Sequence, residues 1–319
     1  MLAVHLQEGA VTVRDIPVPE RPPGYALLRL LTGGICNTDL ELQRGYYGFA
    51  GIPGHEFVAQ VVAADTSSLV GQRVVGEINL ACHKCEWCAK GWSRHCPNRT
   101  VLGIVNQPGA FQEFFTLPER NLYVLSDEIT LDRAVFTEPL AAACEILDQV
   151  SIPSGETVAV LGDGKLGLLI ALVLHVQGYG VHQFGRHPEK LRITAAAGVE
   201  VELAGEELPI AEYGWVVDAT GSPEGLRAAA RMVRPRGTVI LKSTVHGMVA
   251  VDTAPIIVNE ITLVGSRCGR FEAALPLLAH PGIRVEEMVA ARYPLREAPA
   301  AFARAVQRGT LKVLLESGE

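Results

Sequence analysis

A β-rich domain followed by a parallel α/β domain is the fold class this sequence predicts, on three observations. From Val11 to Val124, short apolar runs are separated by glycine and proline, the pattern of a compact β domain. From Val158 onward, apolar strands alternate with helical patterns, the order that βαβ units produce. At 319 residues the chain is also long for one core, so two domains are expected.

Composition narrows the function. Apolar residues make up 48% and charged residues 20%, as in ordinary globular proteins. The formal net charge of −7 argues against nucleic-acid binding, which needs a basic patch. The opening MLAVHLQEGAVTVRD has no basic start and already alternates like a strand, so no export signal is expected. The apolar run Leu166–Val176 is too short to cross a bilayer, which takes about 20 residues. The seven cysteines, at 36, 82, 85, 88, 96, 144 and 268, are odd in number, and four are clustered. In a chain without an export signal they point to metal binding and a cytoplasmic protein rather than to a disulfide framework.

Taken in order, Val11–Arg14 and Ala26–Leu30 read as strands between proline-marked turns. Gly33–Glu56 follows, with Cys36, then a helix start at Asn37-Thr38-Asp39, then His55-Glu56 at the exit of a Gly/Pro loop. Thiolate, imidazole and carboxylate are the ligand types a catalytic zinc accepts, with one position left open. By itself Cys36 reads equally well as a small buried hydrophobe. Phe57–Ala64 and Val74–Glu77 are further strands.

Cys82, Cys85, Cys88 and Cys96 form C-x₂-C-x₂-C-x₇-C. Four thiolates at this spacing close a tetrahedral zinc site with no open position, so this is a structural zinc holding a lobe at about 80–100. An iron–sulfur cluster is the rival, favoured by Cys96-Pro97 and disfavoured by the lack of a second such set. His83 and His95 are read as bystanders. Gly109–Phe115 and Asn121–Leu125 read as strands, and a helix is expected from Pro139. Glu138, just before it, is either an acid favoured by the helix dipole or a carboxylate aimed at the metal.

Val158–Leu161 runs into Gly162-Asp-Gly164-Lys165-Leu166-Gly167 and a helix, a G-x-G-x-x-G in its required context. Gly162 allows the turn, Gly164 lets backbone approach a pyrophosphate, and Gly167 lets helix pack on strand. Strands 181–184, 199–203, 215–220, 238–242 and 261–264, with helices 188–197 and 222–233, complete a dinucleotide fold. An NAD site ends its second strand in an acid. Here stand Gly185, Arg186, His187 and Lys190 instead, so NADP(H) is expected over NAD(H), with Gly185 making room for a 2′-phosphate and Arg186 binding it.

Together these residues resemble the zinc-dependent medium-chain alcohol dehydrogenase family across essentially the whole chain. GGICNTD, GHE, the four-cysteine lobe, EPL, GxGxxG, VVDATGS and LKVLLE stand in the family's order. EPL resembles the branch of sorbitol, threonine and glucose dehydrogenases. The resemblance implies a GroES-like catalytic domain at 1–140, a Rossmann domain at 141–268, a return to the catalytic domain at 269–319, and a cleft between the domains. It implies a catalytic zinc on Cys36, His55 and Glu56, with Glu138 as a further carboxylate, so two zincs per chain. It implies Thr38 as the hydroxyl that relays the alcohol proton and Asp39 as the acid orienting the zinc histidine. It places Asp218, Ala219, Thr220 and Gly221 beside adenosine, Gly265, Ser266 and Arg267 at the nicotinamide end, and Lys312 at a basic cofactor contact. The implied reaction is reversible hydride transfer between an alcohol and the nicotinamide, in a homodimer or homotetramer. The alternatives are a zinc-free quinone or enone reductase of the superfamily, or a non-catalytic cofactor binder.

The sequence departs from the pattern in places. Glu41 stands where many relatives end the proton relay with histidine, Ala59 replaces a frequent glycine, and His55–Arg73 is short. Tyr46, Tyr47, Phe49 and Ile104–Asn106 are expected either to line a substrate pocket or to serve domain packing.

Overall fold

In the computed structural model, which describes residues 1–205, 207–244 and 248–318, the chain divides into two compact units. One is Met1–Glu138 together with the chain from Val289 onward; the other is Pro139–Met288. The side chain of Tyr47 lies outside the described residues.

The first unit is organised on the strand Tyr25–Ile35. Its burial alternates while one face meets solvent and turns fully inward at Gly33–Ile35. Glu56–Ala63 pairs antiparallel along one edge, and Phe114–Pro118 and Lys312–Glu316 share the other. The register sets Gly34 beside Glu56 and Ile35 beside Val313. Three strand ends therefore deliver Cys36, Glu56 and Lys312 to one place, although 256 residues separate the last two. Below them lies an aromatic core, with Phe57 edge-on to Phe115 at 4.9 Å and Phe111 edge-on to Phe302 at 6.3 Å.

Gly109–Phe115 was expected to be one strand. The strand begins only at Phe114. The preceding residues instead cross the loop that carries His55, Gly109 and Ala110 donating their amides to the carbonyls of Ile52 and Gly54. A Cβ on Gly109 would lie 2.2 Å from the Pro53 carbonyl oxygen, so only glycine permits that crossing.

The second unit is a six-stranded sheet in the order Glu200–Leu203, Gly180–Gly185, Thr157–Leu161, Tyr213–Asp218, Val233–Leu241, Thr262–Gly265, every neighbouring pair parallel. The helix Lys165–Val176 buries every residue from Gly167 to Leu174. That explains a sequence apolar all round rather than striped. At roughly 1.5–3 kcal/mol per fully buried aliphatic side chain, this helix is a principal stabilising element of the unit.

Two boundaries differ from expectation. The helix expected from Pro139 spans Thr137–Gln149, which puts Glu138 inside its first turn. The return to the first unit comes at Val289, not at residue 269. The segment between packs within the second unit. Gly269 sits where a Cβ would be 1.7 Å from the Ala141 carbonyl, Arg270 pairs with Asp148 at 2.8 Å, and Phe271, Ala274 and Leu278 are buried.

Candidate metal centres and nucleotide-binding loop

Cys36 is the N-cap of the helix Asn37–Gln43, and Asp39 holds it there by accepting the Cys36 amide at 2.8 Å. The other Asp39 oxygen accepts the Gly54 amide at 3.2 Å and lies 3.4 Å from His55 Nδ1. One buried carboxylate thus ties the cysteine turn to the histidine loop. The ligand atoms of Cys36, His55 and Glu56 all lie within 4.8 Å of one another. His55 is 3% exposed, and its Nδ1 has no hydrogen-bond partner among the described residues. Burial opposes a charge on His55, but Asp39 and Cys36 outweigh it and raise its pKa well above the ordinary value. A sulfur, a nitrogen and an oxygen, the last two buried and Cys36 half-buried, converge here, and that donor set fits a divalent zinc.

Glu56 reaches this cluster with a partner. Lys312 donates to Glu56 Oε2, both side chains about 1% exposed, and the Lys312 ammonium lies 5.3 Å from the centre of the Phe136 ring. A Cβ on Gly34 would come within 2.7 Å of Glu56 Oε2 and 3.2 Å of Lys312 Cδ, so glycine is required there. This corrects the expectation for Lys312. Expected at a basic cofactor contact, it is a buried counter-ion to a candidate ligand. No local signal could reveal it, because only strand register brings it to Glu56.

Glu138 stands outside the 4.8 Å set. Burial pushes its carboxyl up to about 7, with the charges of His55, Glu56, Glu77 and Lys312 acting on it. Thr38 lies beside the cluster, its Oγ1 3.8 Å from Cys36 Sγ. Glu41 is engaged by Arg44 at 2.6 Å.

In the lobe, Cys85 Sγ is 3.5 Å from Cys88 and 3.7 Å from Cys96, and Cys96 is 3.5 Å from Cys82. A tetrahedron with zinc–sulfur bonds of about 2.3 Å has edges of about 3.8 Å, so the four sulfurs already stand nearly at ligand spacing. The Lys84 amide lowers Cys82 to about 6 while burial lifts Cys88 to about 12. Four such sulfurs ionise together only around a cation. His83 and His95 are not in the group.

In the second unit, Gly162 has φ +117, and a Cβ on Gly167 would lie 2.4 Å from the Gly162 carbonyl, while space at Gly164 is open. These are the three separate demands of the motif: a turn, an approach and a packing contact. A cavity of about 440 Å³ opens there, lined by Gly164, Arg186, His187, Lys190, Thr220 and Arg231 among others. The loop, the open glycine and the cations fit a dinucleotide. Ala219 also lines the cavity, whereas Lys165, Leu166 and Gly167 form the helix start behind it. Gly265, Ser266 and Arg267 lie elsewhere in the unit. Buried Lys242 donates to Ser266 Oγ at 3.0 Å and to the Arg267 carbonyl at 2.8 Å. Sequence reasoning missed Arg231 and Gly225, which line the cavity from the helix Pro223–Met232. It also misjudged Gly185. A Cβ there would lie 2.6 Å from Asp163 Cβ, so the glycine accommodates Asp163 rather than leaving space for a phosphate.

Residues 22–127 match the alcohol dehydrogenase GroES-like domain, and residues 166–280 match the zinc-binding dehydrogenase domain. The chain is 31% identical to L-threonine 3-dehydrogenase of Streptomyces avermitilis, over 97% of this chain and 96% of that one. It is 30% identical to D-arabitol-phosphate dehydrogenase of Enterococcus avium, over 95% and 93%. Among solved structures, the alcohol dehydrogenase TADH of Thermus sp. ATN1 superposes with a TM-score of 0.89 at 30% identity, covering all of both chains. A chain from Sinorhizobium meliloti 1021 bound to NADP superposes with 0.88 at 27% identity, covering 99% of this chain and 98% of that one.

Proposed function

Because the chain belongs to the zinc-dependent medium-chain alcohol dehydrogenase family, we propose that it catalyses reversible hydride transfer between a secondary alcohol, polyol or sugar and NADP. The observation that carries this reading is the convergence of Cys36, His55 and Glu56, whose ligand atoms lie within 4.8 Å of one another. Cys36, His55 and Glu56 would hold zinc, which when bound would supply Lewis acidity at the substrate oxygen. The loop Gly162–Gly167 would hold the dinucleotide, which when bound would supply the hydride acceptor.

The chain's own residues do the rest. Asp39 fixes the Cys36 turn and faces His55, so both ligands are set before anything binds. Thr38 Oγ1, beside Cys36, accepts the proton that the alcohol hydroxyl gives up while passing its own proton on to solvent. Glu138, held near neutrality by burial, adjusts the charge around the cluster by holding or releasing one proton at its carboxyl. Lys312, the buried ion-pair partner of Glu56, holds its carboxylate in orientation. Arg186 and Lys190 present the positive charge that favours a 2′-phosphate. The four lobe cysteines would hold a second, structural zinc.

The deciding experiment is a panel of polyols, secondary alcohols and aldoses with NADP⁺ and NAD⁺, beside Cys36→Ser. Turnover of at least one alcohol, faster with NADP⁺ and lost in the variant, supports the reading. Full activity in Cys36→Ser without bound metal ends it.

A further inference from the structure

The strand Gly180–Gly185 ends without an acid in its own sequence, yet the structure brings one to that position. Asp163, the second residue of the glycine loop, turns its side chain under the end of this strand. A Cβ on Gly185 would meet Asp163 Oδ2 at 2.8 Å as well as its Cβ. Asp163 Oδ2 accepts the amides of Arg186 and His187, each at 2.6 Å, and stands 2.9 Å from His187 Nδ1. Asp163 and Gly185 both line the cavity beside Arg186 and Lys190. A carboxylate from the loop thus occupies the space that a side chain at the strand end would fill.

We infer that Asp163 is the ribose-recognising acid of this site, supplied from the glycine loop, and that it limits the preference for NADP. The inference rests on the reading of Gly162–Gly167 as the nucleotide site. Among the described residues, the backbone donors to Asp163 fall on Oδ2, so Oδ1 is the oxygen that serves a ribose 2′-hydroxyl, the group NAD offers. The same negative charge opposes a 2′-phosphate, which Arg186 and Lys190 attract. Two opposed determinants share one cavity: an acid that favours the hydroxyl and cations that favour the phosphate. The chain therefore binds both dinucleotides, with NADP ahead by a modest factor. The three hydrogen bonds at Oδ2 hold the acid in place and also fix the turn from which Arg186 projects.

The test is direct binding to the full chain, by calorimetry or quenching of intrinsic fluorescence, with NAD⁺, NADP⁺, 5′-ADP and 2′,5′-ADP and no substrate present. Asp163→Asn keeps an oxygen for the backbone amides and removes the charge; Asp163→Ser keeps a smaller acceptor should the amide variant fold poorly. Either variant is expected to raise the Kd for NAD⁺ about tenfold, the factor that 1.4 kcal/mol represents. The Kd for NADP⁺ and 2′,5′-ADP is expected to stay or fall, so the ratio of the two affinities widens. Arg186→Ala is expected to do the reverse, weakening only the phosphorylated ligands. An unchanged ratio in both Asp163 variants overturns the inference, as does selective loss of NADP⁺, which would make Asp163 a support of the phosphate site. If the unmodified chain binds none of the four nucleotides, the nucleotide site itself is wrong, a result distinct from either.

Discussion

Lys312 and Glu56 show at the scale of single residues how this site is balanced. Each is about 1% exposed, and each is the other's charge partner. Removing one member of a buried pair typically costs about 3–5 kcal/mol, because it strands the other charge. Lys312→Met is therefore expected to destabilise the zinc-depleted protein by about that much. With zinc loaded, the loss should be smaller, since a metal can serve as the partner of Glu56. Melting temperatures measured with and without zinc test this, and equal losses in the two states would refute it. Asp39 carries a different burden. It bonds the Cys36 and Gly54 amides and faces His55, so Asp39→Ala releases two backbone donors and the ring at once. Loss of a group that orients a metal ligand typically costs about 10–100-fold in metal affinity or activity. Zinc affinity measured by competition with a chelator should fall in that range, and an unchanged affinity would leave Asp39 with a purely structural role.

Among the elements, the helix Pro223–Met232 sets two effects against each other. Ser222 caps it by accepting the Gly225 amide at 3.2 Å. Within the first turn sits Gly225, where helix propensity alone favours alanine by about 1 kcal/mol. A Cβ at that position would lie 1.8 Å from Thr220 Oγ1 and 2.6 Å from Asp218 Oδ1. Contacts that short outweigh the propensity gain, because they force apart the turn that follows the strand Tyr213–Asp218. Gly225→Ala is thus expected to lower the melting temperature and to weaken dinucleotide binding, since Gly225 and Thr220 line the same cavity. A stabilised variant with unchanged binding would show that the turn yields freely. The four-cysteine lobe is an element of another kind. Only short pieces of regular structure span it, among them the helix Glu86–Ala89 and the strand Thr100–Leu102. Its two tryptophans, Trp87 and Trp92, are about half exposed. With so little apolar burial of its own, the lobe depends on its metal. Cys88→Ser should therefore reduce zinc content by about one ion per chain and make the segment around residues 80–100 exchange its amides rapidly. Protection there equal to that of the unmodified chain would contradict the role.

At the scale of the whole molecule, what could be read from the sequence was whatever is encoded locally. The C-x₂-C-x₂-C-x₇-C spacing brings four sulfurs together because a few residues of chain can only curl so far. The G-x-G-x-x-G motif announces itself because turn, approach and packing fall within six residues. The Cys36, His55 and Glu56 grouping was legible through residue type and family order, although periodicity alone left Cys36 ambiguous. What stayed hidden depends on pairing across long stretches: Lys312 on Glu56, Asp163 beneath Gly185, and a second unit that continues to Met288 because Gly269 lets the chain lie against the Thr137–Gln149 helix. That division also separates the chemistry. The residues assigned to the catalytic metal lie in the unit of Met1–Glu138, while the nucleotide loop and its cavity lie within Pro139–Met288. The hydrogen bonds described at each site come from its own unit, so damage to one should leave the other's affinity intact. Cys36→Ser is expected to retain NADP⁺ binding within about threefold, well under 1 kcal/mol, while catalysis falls to background and zinc content drops by one ion per chain. Binding isotherms, metal analysis and turnover on one preparation measure all three. A parallel collapse of NADP⁺ affinity would show that the metal centre shapes the nucleotide site, and the two units could no longer be treated as independent binders.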